Sequence, residues 1–137
     1  MVLMFQAEVA QRLRADPDTR AWGSLSIWIQ NRWNVRKLIS VKPGAFNPPP
    51  KVDSEVLVFE RREQPRIQIP NDPKTEAQWE SLLKATFSQR RKMLRSVLKP
   101  YPVLRNALEL SQVDDTKRAE ALSWEEWAKL WECLSKA

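Results

Sequence analysis

Val35-Arg36-Lys37-Leu38-Ile39-Ser40-Val41 and Val52-Asp53-Ser54-Glu55-Val56-Leu57-Val58-Phe59 are two runs with strand character. Between them stands Lys42-Pro43-Gly44-Ala45-Phe46-Asn47-Pro48-Pro49-Pro50-Lys51. Each proline ring fixes its own φ and restrains the residue before it, so this loop is stiff. The second run is apolar at successive positions, as expected of a strand covered on both faces. Upstream, Val2-Leu3-Met4-Phe5 is a short apolar run feeding into Gln6–Arg14, where Phe5, Val9 and Leu13 recur every four residues. Asp16-Pro17 ends that helix. Ser24–Trp33 follows as a second helix, with Leu25, Trp28, Ile29 and Trp33 on one side. Residues 1–62 therefore read as the tail of an α/β layer: strand, helix, helix, strand, rigid loop, strand.

Downstream the period changes. Residues 63–74 are polar, carry Pro65, Pro70 and Pro73, and read as a linker. Residues 75–137 read as a small all-helical module. Thr75 with Gln78 has the spacing of a capping box. Trp79, Leu82, Leu83, Phe87, Met93, Leu94, Val97 and Leu98 follow a helical repeat, with Ser88 as its candidate break. Pro100 and Pro102 close that segment, and Val103–Leu110 is a short helix. Ser123 with Glu126 opens a last helix bearing Trp124, Trp127, Leu130, Trp131 and Leu134 on one face. The whole is an α+β arrangement.

Composition excludes much chemistry. The 137 residues contain no histidine, one cysteine and two glycines. Without an imidazole there is no Ser-His-Asp triad, and the commonest catalytic zinc ligand is missing. Gly23 and Gly44 alone do not make a glycine-rich phosphate loop. Catalytic, cofactor-binding and metal-ligating residues are accordingly expected to be absent. Cys133 has no partner for an internal disulfide, which suits a reducing cytosol and a cytoplasmic location. No apolar stretch approaches the roughly 20 residues that span a bilayer, so no membrane partner is expected.

The formal net charge is +6, unevenly distributed. From Lys84 to Arg105 there are seven basic residues and no acidic one; from Glu109 to Glu132 there are seven acidic residues against three basic. On one continuous helix Arg91, Arg95 and Lys99 would stand at i, i+4 and i+8, bordered by Ser88 and Lys92. Such a stripe can neutralise phosphates and release their counterions. Spacing alone divides evenly between this and a solvated face; the absence of acidic residues favours nucleic acid.

Asn47-Pro48-Pro49-Pro50 approaches the Asn-Pro-Pro-aromatic turn of amino-methylating enzymes but lacks the aromatic residue, so a rigid loop is the better reading. Phe46 fits a base-stacking position or a core position equally on spacing. The seven tryptophans sit mostly on apolar helix faces and read as core. Cys133 reads as a packed thiol, and the acidic pairs Asp114/Asp115 and Glu125/Glu126 as turn and helix-start charges.

Five strings, in order, resemble the small-subunit ribosomal RNA adenine dimethyltransferases. They are Phe5-Gln6-Ala7-Glu8-Val9-Ala10-Gln11-Arg12-Leu13, Gly23-Ser24-Leu25-Ser26, Val41 to Ser54, Phe87-Ser88-Gln89-Arg90-Arg91-Lys92-Met93-Leu94-Arg95 and Arg118-Ala119-Glu120-Ala121-Leu122-Ser123. The proline-rich string and the Arg-Arg-Lys string are the specific ones. The Pro48-to-Ser54 string and the Arg118-Ala119-Glu120 tail set the chain apart from the related enzymes that methylate large-subunit RNA.

The resemblance implies that residues 1–62 are the C-terminal third of a Rossmann-like methyltransferase domain, closing with two antiparallel strands. It implies that residues 75–137 are a helical RNA-binding domain. Phe46 would stack on the target adenine, and Lys51, Arg90, Arg91, Lys92, Arg95 and Lys99 would contact RNA. The complete family enzyme moves methyl groups from S-adenosylmethionine to two adjacent adenines of small-subunit RNA. The family's S-adenosylmethionine loop and catalytic turn precede the segment that matches, so this chain is expected to hold neither.

The expected partners are small-subunit rRNA or the ribosomal subunit, and an N-terminal methyltransferase segment supplied elsewhere. A free apolar edge at Val2–Phe5 would also permit self-association. The alternatives are a non-catalytic RNA-binding or ribosome-assembly module and a helical protein-interaction module.

Overall fold

The computed structural model describes residues 1–45 and 52–136. Among them the chain is α+β, with three strands, six α-helices and two short 3-10 turns. It divides into two compact units: residues 1–16 with 20–65, and residues 17–19 with 66–137.

In the first unit, β1 (Val2–Gln6), β2 (Trp33–Val41) and β3 (Ser54–Arg61) form one antiparallel sheet in the order β1-β3-β2. β1 pairs with β3 from Val2 opposite Val58 to Gln6 opposite Ser54. β2 pairs with β3 from Trp33 opposite Arg61 to Val41 opposite Ser54, with a bulge between Lys37 and Ile39. Because side chains alternate across a strand, this register sorts the sheet into two faces. Phe5, Val35, Leu57 and Phe59 share the face on which Ala10 and Leu13 pack. Val2, Met4, Ile39, Val56 and Val58 share the other.

The expectation of a strand covered on both sides holds on one face only. Leu57 and Phe59 are buried, whereas Val56 and Val58 are half-buried and their neighbours Val2, Met4 and Ile39 are exposed.

Helices α1 (Ala7–Leu13) and α2 (Ser24–Gln30) are joined through side chains that satisfy helix ends. The Gln30 amide donates to the carbonyls of Leu13 and Ala15, both at 2.9 Å, capping the end of α1. The buried Ser26 hydroxyl donates to the Arg12 carbonyl and accepts from the Gly23 N–H at 3.2 Å. Ser26 of the Gly-Ser-Leu-Ser string thus has a structural task.

The regular elements of the second unit are helical: α3 (Pro73–Phe87), α4 (Leu94–Val97), α5 (Pro102–Ser111) and α6 (Trp124–Ser135). The α3 start differs from the Thr75–Gln78 reading. Asp72 is the N-cap, its carboxylate accepting from Thr75 N–H at 2.9 Å, and Pro73 fills the first turn. Proline at N1 forfeits only an N–H that has no helical acceptor, so the helix starts three residues earlier than the Thr75 cap implies. Ahead of it, Ile67 and Ile69 are buried, and the Arg66 guanidinium lies 5.0 Å from the Trp124 ring centre.

Aromatic rings dominate the core of this unit. Trp79 meets Trp131 edge-on at 5.5 Å and Trp127 at 6.5 Å, and Phe87 stacks on Trp127 at 5.9 Å. Trp22, Trp79, Trp127 and Trp131 are buried, Trp33 and Trp124 half-buried, and Trp28 exposed, so the core reading of the tryptophans holds for most of them. Cys133 is half-buried.

Candidate nucleic-acid interface

The basic stretch is not one helix. α3 ends at Phe87, residues 88–93 turn, α4 occupies only Leu94–Val97, and residues 98–100 turn again. The i, i+4, i+8 stripe of Arg91, Arg95 and Lys99 is therefore corrected: Arg91 lies in the first turn, Arg95 on α4 and Lys99 in the second turn. The physical cause is local. The Ser88 hydroxyl donates to the Ala85 carbonyl at 2.7 Å, offering α3 an alternative to its next backbone bond, and Lys92 N–H closes a turn on Gln89 at 3.1 Å. Met93 then takes an extended backbone before α4 begins.

What the turns preserve is exposure. Arg91, Lys92, Arg95 and Lys99 are all exposed, and among the described residues none has a carboxylate within ion-pair distance. Arg90 differs: its guanidinium lies 3.4 Å from Glu120 and 6.0 Å from the Phe87 ring centre. Phe46 and Lys51 lie outside the described residues.

Chain folding brings a second segment to the start of α4. Leu94 N–H donates to the Lys117 carbonyl at 2.8 Å, and Arg95 N–H to the Asp115 carbonyl at 3.0 Å. Lys117 is committed to Glu126 at 3.1 Å. Burial alone would push the Glu126 carboxyl up. The Ser123 N–H and the Lys117 ammonium outweigh it and hold the carboxyl below its ordinary value. Arg118, next in the chain, is exposed and has no acidic partner among the described residues. Sequence reading placed Arg118 in the acidic half of the chain and missed this proximity, because it depends on long-range backbone bonds. The signal available was the Ser123–Glu126 box, which supplies the carboxylate that holds Lys117.

Exposed cations on short, hydrogen-bonded turns can each meet a phosphate without first breaking an ion pair. No group of three or more His, Cys, Asp or Glu side chains among the described residues could hold a metal ion. No helix there is long and apolar enough to cross a membrane.

Comparison with known proteins defines the class. The family model for ribosomal RNA adenine dimethylase matches residues 1–136, and the chain belongs to that family. Relatives named ribosomal RNA small subunit methyltransferase A include that of Syntrophotalea carbinolica, 42% identical over 134 residues. That match takes in 95% of this chain and 49% of the relative. The Thermosynechococcus vestitus protein of the same name is 42% identical over 140 residues, 98% of this chain and 50% of the relative. The chain thus spans about half the length of the curated relatives it matches.

Among solved structures, a dimethyladenosine transferase from Plasmodium falciparum superposes with a TM-score of 0.75 at 27% identity, over 98% of this chain and 56% of that one. The 23S rRNA methyltransferase ErmE, at 22% identity and a TM-score of 0.57, shares the fold over 98% of this chain and 54% of its own.

Proposed function

We propose that this chain is the RNA-contacting C-terminal portion of an S-adenosylmethionine-dependent rRNA adenine dimethyltransferase acting on small-subunit rRNA. The observation that carries the reading is the set of exposed cations Arg91, Lys92, Arg95 and Lys99, without acidic partners among the described residues, in a chain matched by the family model from residue 1 to 136. Their role is to neutralise backbone phosphates; Arg90 contributes through its exposed edge while held by Glu120. Lys51 is assigned an RNA-backbone contact and Phe46 the stacking of an extruded adenine, giving one wall of the target pocket. Two adjacent adenines are the proposed targets, and the cytoplasm the proposed location. The first unit corresponds to the closing part of a Rossmann-like domain in this reading.

S-adenosylmethionine supplies the methyl group in the complete enzyme. The described residues do not fit it. Neither Gly23 nor Gly44 has a left-handed backbone, and a Cβ on either would meet nothing within 4 Å, so neither forms a close-approach cradle. No methyl-transfer step is assigned to residues of this chain, and a further methyltransferase segment is the partner that would supply it. A second reading, a non-catalytic RNA-binding module for ribosome assembly, is favoured by one observation: every described candidate cation lies in the second unit alone.

The test is binding of the chain to a small-subunit rRNA fragment at several salt concentrations. Affinity should fall linearly on a log–log plot, each phosphate contact adding about 0.7–0.9 to the slope. A flat salt response would contradict RNA-backbone contact and leave the helical protein-interaction module as the better account.

A further inference from the structure

The loop that leaves α5 is tied at its middle to α4. Gln112, whose left-handed backbone (φ 59°) ends α5, turns the chain, and the buried Val113 and Ala119 anchor the loop on either side. Between them Asp114 builds a turn on its own side chain. Its Oδ1 accepts from the Thr116 N–H at 3.0 Å and from the Thr116 hydroxyl at 2.6 Å. The Lys117 N–H donates to the Asp114 carbonyl at 3.2 Å, and the Lys117 ammonium is held by both Glu126 oxygens, at 3.1 and 3.2 Å.

That turn presents two carbonyls to the start of α4. Leu94 N–H donates to Lys117 and Arg95 N–H to Asp115, and these are the first two residues of the helix, whose N–H groups have no acceptor within it. The N-cap, Met93, supplies no side-chain acceptor. A helix of four residues has little cohesion of its own. The place of Arg95 is therefore set by the 115–117 segment.

The charge of Asp114 runs against the surface it supports. Its side chain is exposed, one residue from the carbonyl that bonds Arg95, and a carboxylate there repels a polyanion. The Thr116 hydroxyl and N–H hold the carboxyl below its ordinary value, so it is ionised at neutral pH. Its charge opposes binding while its oxygen shapes the turn.

We infer that Asp114 is a positioning residue of the phosphate-binding surface: its Oδ1 holds the turn whose carbonyls fix the start of α4, and with it Arg95. The inference rests on the RNA-contact reading of Arg95 and adds a residue of opposite charge that acts through it. Charge and positioning separate by substitution. Asp114→Asn and Asp114→Ala remove the same charge, but only Asn keeps an oxygen for Thr116.

The test is binding of the whole chain and both variants to a small-subunit rRNA fragment over a salt series, with residue-resolved amide exchange on the unbound proteins. Asp114→Asn should bind at least as tightly as the parent. Asp114→Ala should bind about fivefold more weakly than Asp114→Asn near 0.15 M salt, with a salt slope shallower by about one, as for one lost phosphate contact. The Leu94 and Arg95 amides should exchange faster in Asp114→Ala alone, while the Trp127 amide, bonded to Ser123 within α6, stays as in the parent. Equal binding by the two variants, beside a steep parent slope, overturns the inference and leaves the RNA reading standing. Unchanged Leu94 and Arg95 exchange in Asp114→Ala, or equal loosening of Trp127, also overturns it. A flat salt response in the parent overturns the RNA reading, and the inference with it.

Discussion

Arg14, the residue that ends α1, grips Glu55 on β3 with two bonds: Nε to Oε1 at 2.8 Å and Nη2 to Oε2 at 3.2 Å. The fork geometry fixes the helix end against the strand in one orientation. Glu55 is 4% exposed although it carries a charge, so the Arg14 fork compensates a buried carboxylate.

The pair sets a pH dependence. The Arg14 hydrogen bond holds the Glu55 carboxyl below its ordinary value of 4.5, opposed by burial and reinforced by the charges of Arg14 and Lys37. A depressed carboxyl stabilises the fold above its unfolded pKa, and that stability is lost as pH falls through the lowered native value. Glu55→Gln should cost about 1–3 kcal/mol at pH 7, between the ranges for exposed and buried pairs because the Arg14 side chain is partly exposed. Urea unfolding at pH 7 and at pH 3 should show the gap to the parent closing in acid. An equal gap at both would remove the electrostatic account.

Ser123 and Glu126 cap α6 reciprocally: Glu126 N–H donates to Ser123 Oγ at 3.1 Å, and Ser123 N–H to Glu126 Oε1 at 3.0 Å. Ser123→Ala should cost about 1 kcal/mol. Glu126→Gln should cost more than the cap alone, because Lys117 loses its partner and the segment beside α4 loosens. Thermal unfolding of the two single variants and the double variant measures that coupling, which should exceed about 0.5 kcal/mol.

Trp79 meets both Trp127 and Trp131, so Trp79→Ala should cost about 3–5 kcal/mol. A loss below about 1 kcal/mol, within the range of an ordinary surface change, would mean that the ring cluster is not the core of the second unit.

Much of this architecture was legible in the residues. Apolar runs marked Val2–Phe5, Val35–Val41 and Val52–Phe59 as strands, and Ser123–Glu126 announced α6 because both halves of the box lie within one helical turn. The α3 start was misplaced because Thr75–Gln78 and Asp72–Thr75 both offer a cap at the right spacing, and Pro73 decides between them. The basic stripe was legible as charge but not as geometry. Ser88 marked where the repeat breaks, and α3 ends beside it; the short α4 and its bonds to the 115–117 segment are long-range features that periodicity does not encode. Burial of Ile67 and Ile69 was likewise hidden, because two isolated apolar residues among prolines carry no period.

The central claim, that the turns around α4 are a phosphate-binding surface, is tested most directly by charge reversal. The chain carrying Arg91→Glu with Arg95→Glu is compared with one carrying Lys74→Glu and Lys129→Glu, which has the same net charge. Binding to a small-subunit rRNA fragment is followed over a salt series. The first variant should lose affinity and about two units of salt slope, with the second close to the parent. Equal losses in both variants would reduce the interaction to net charge and contradict a localised surface.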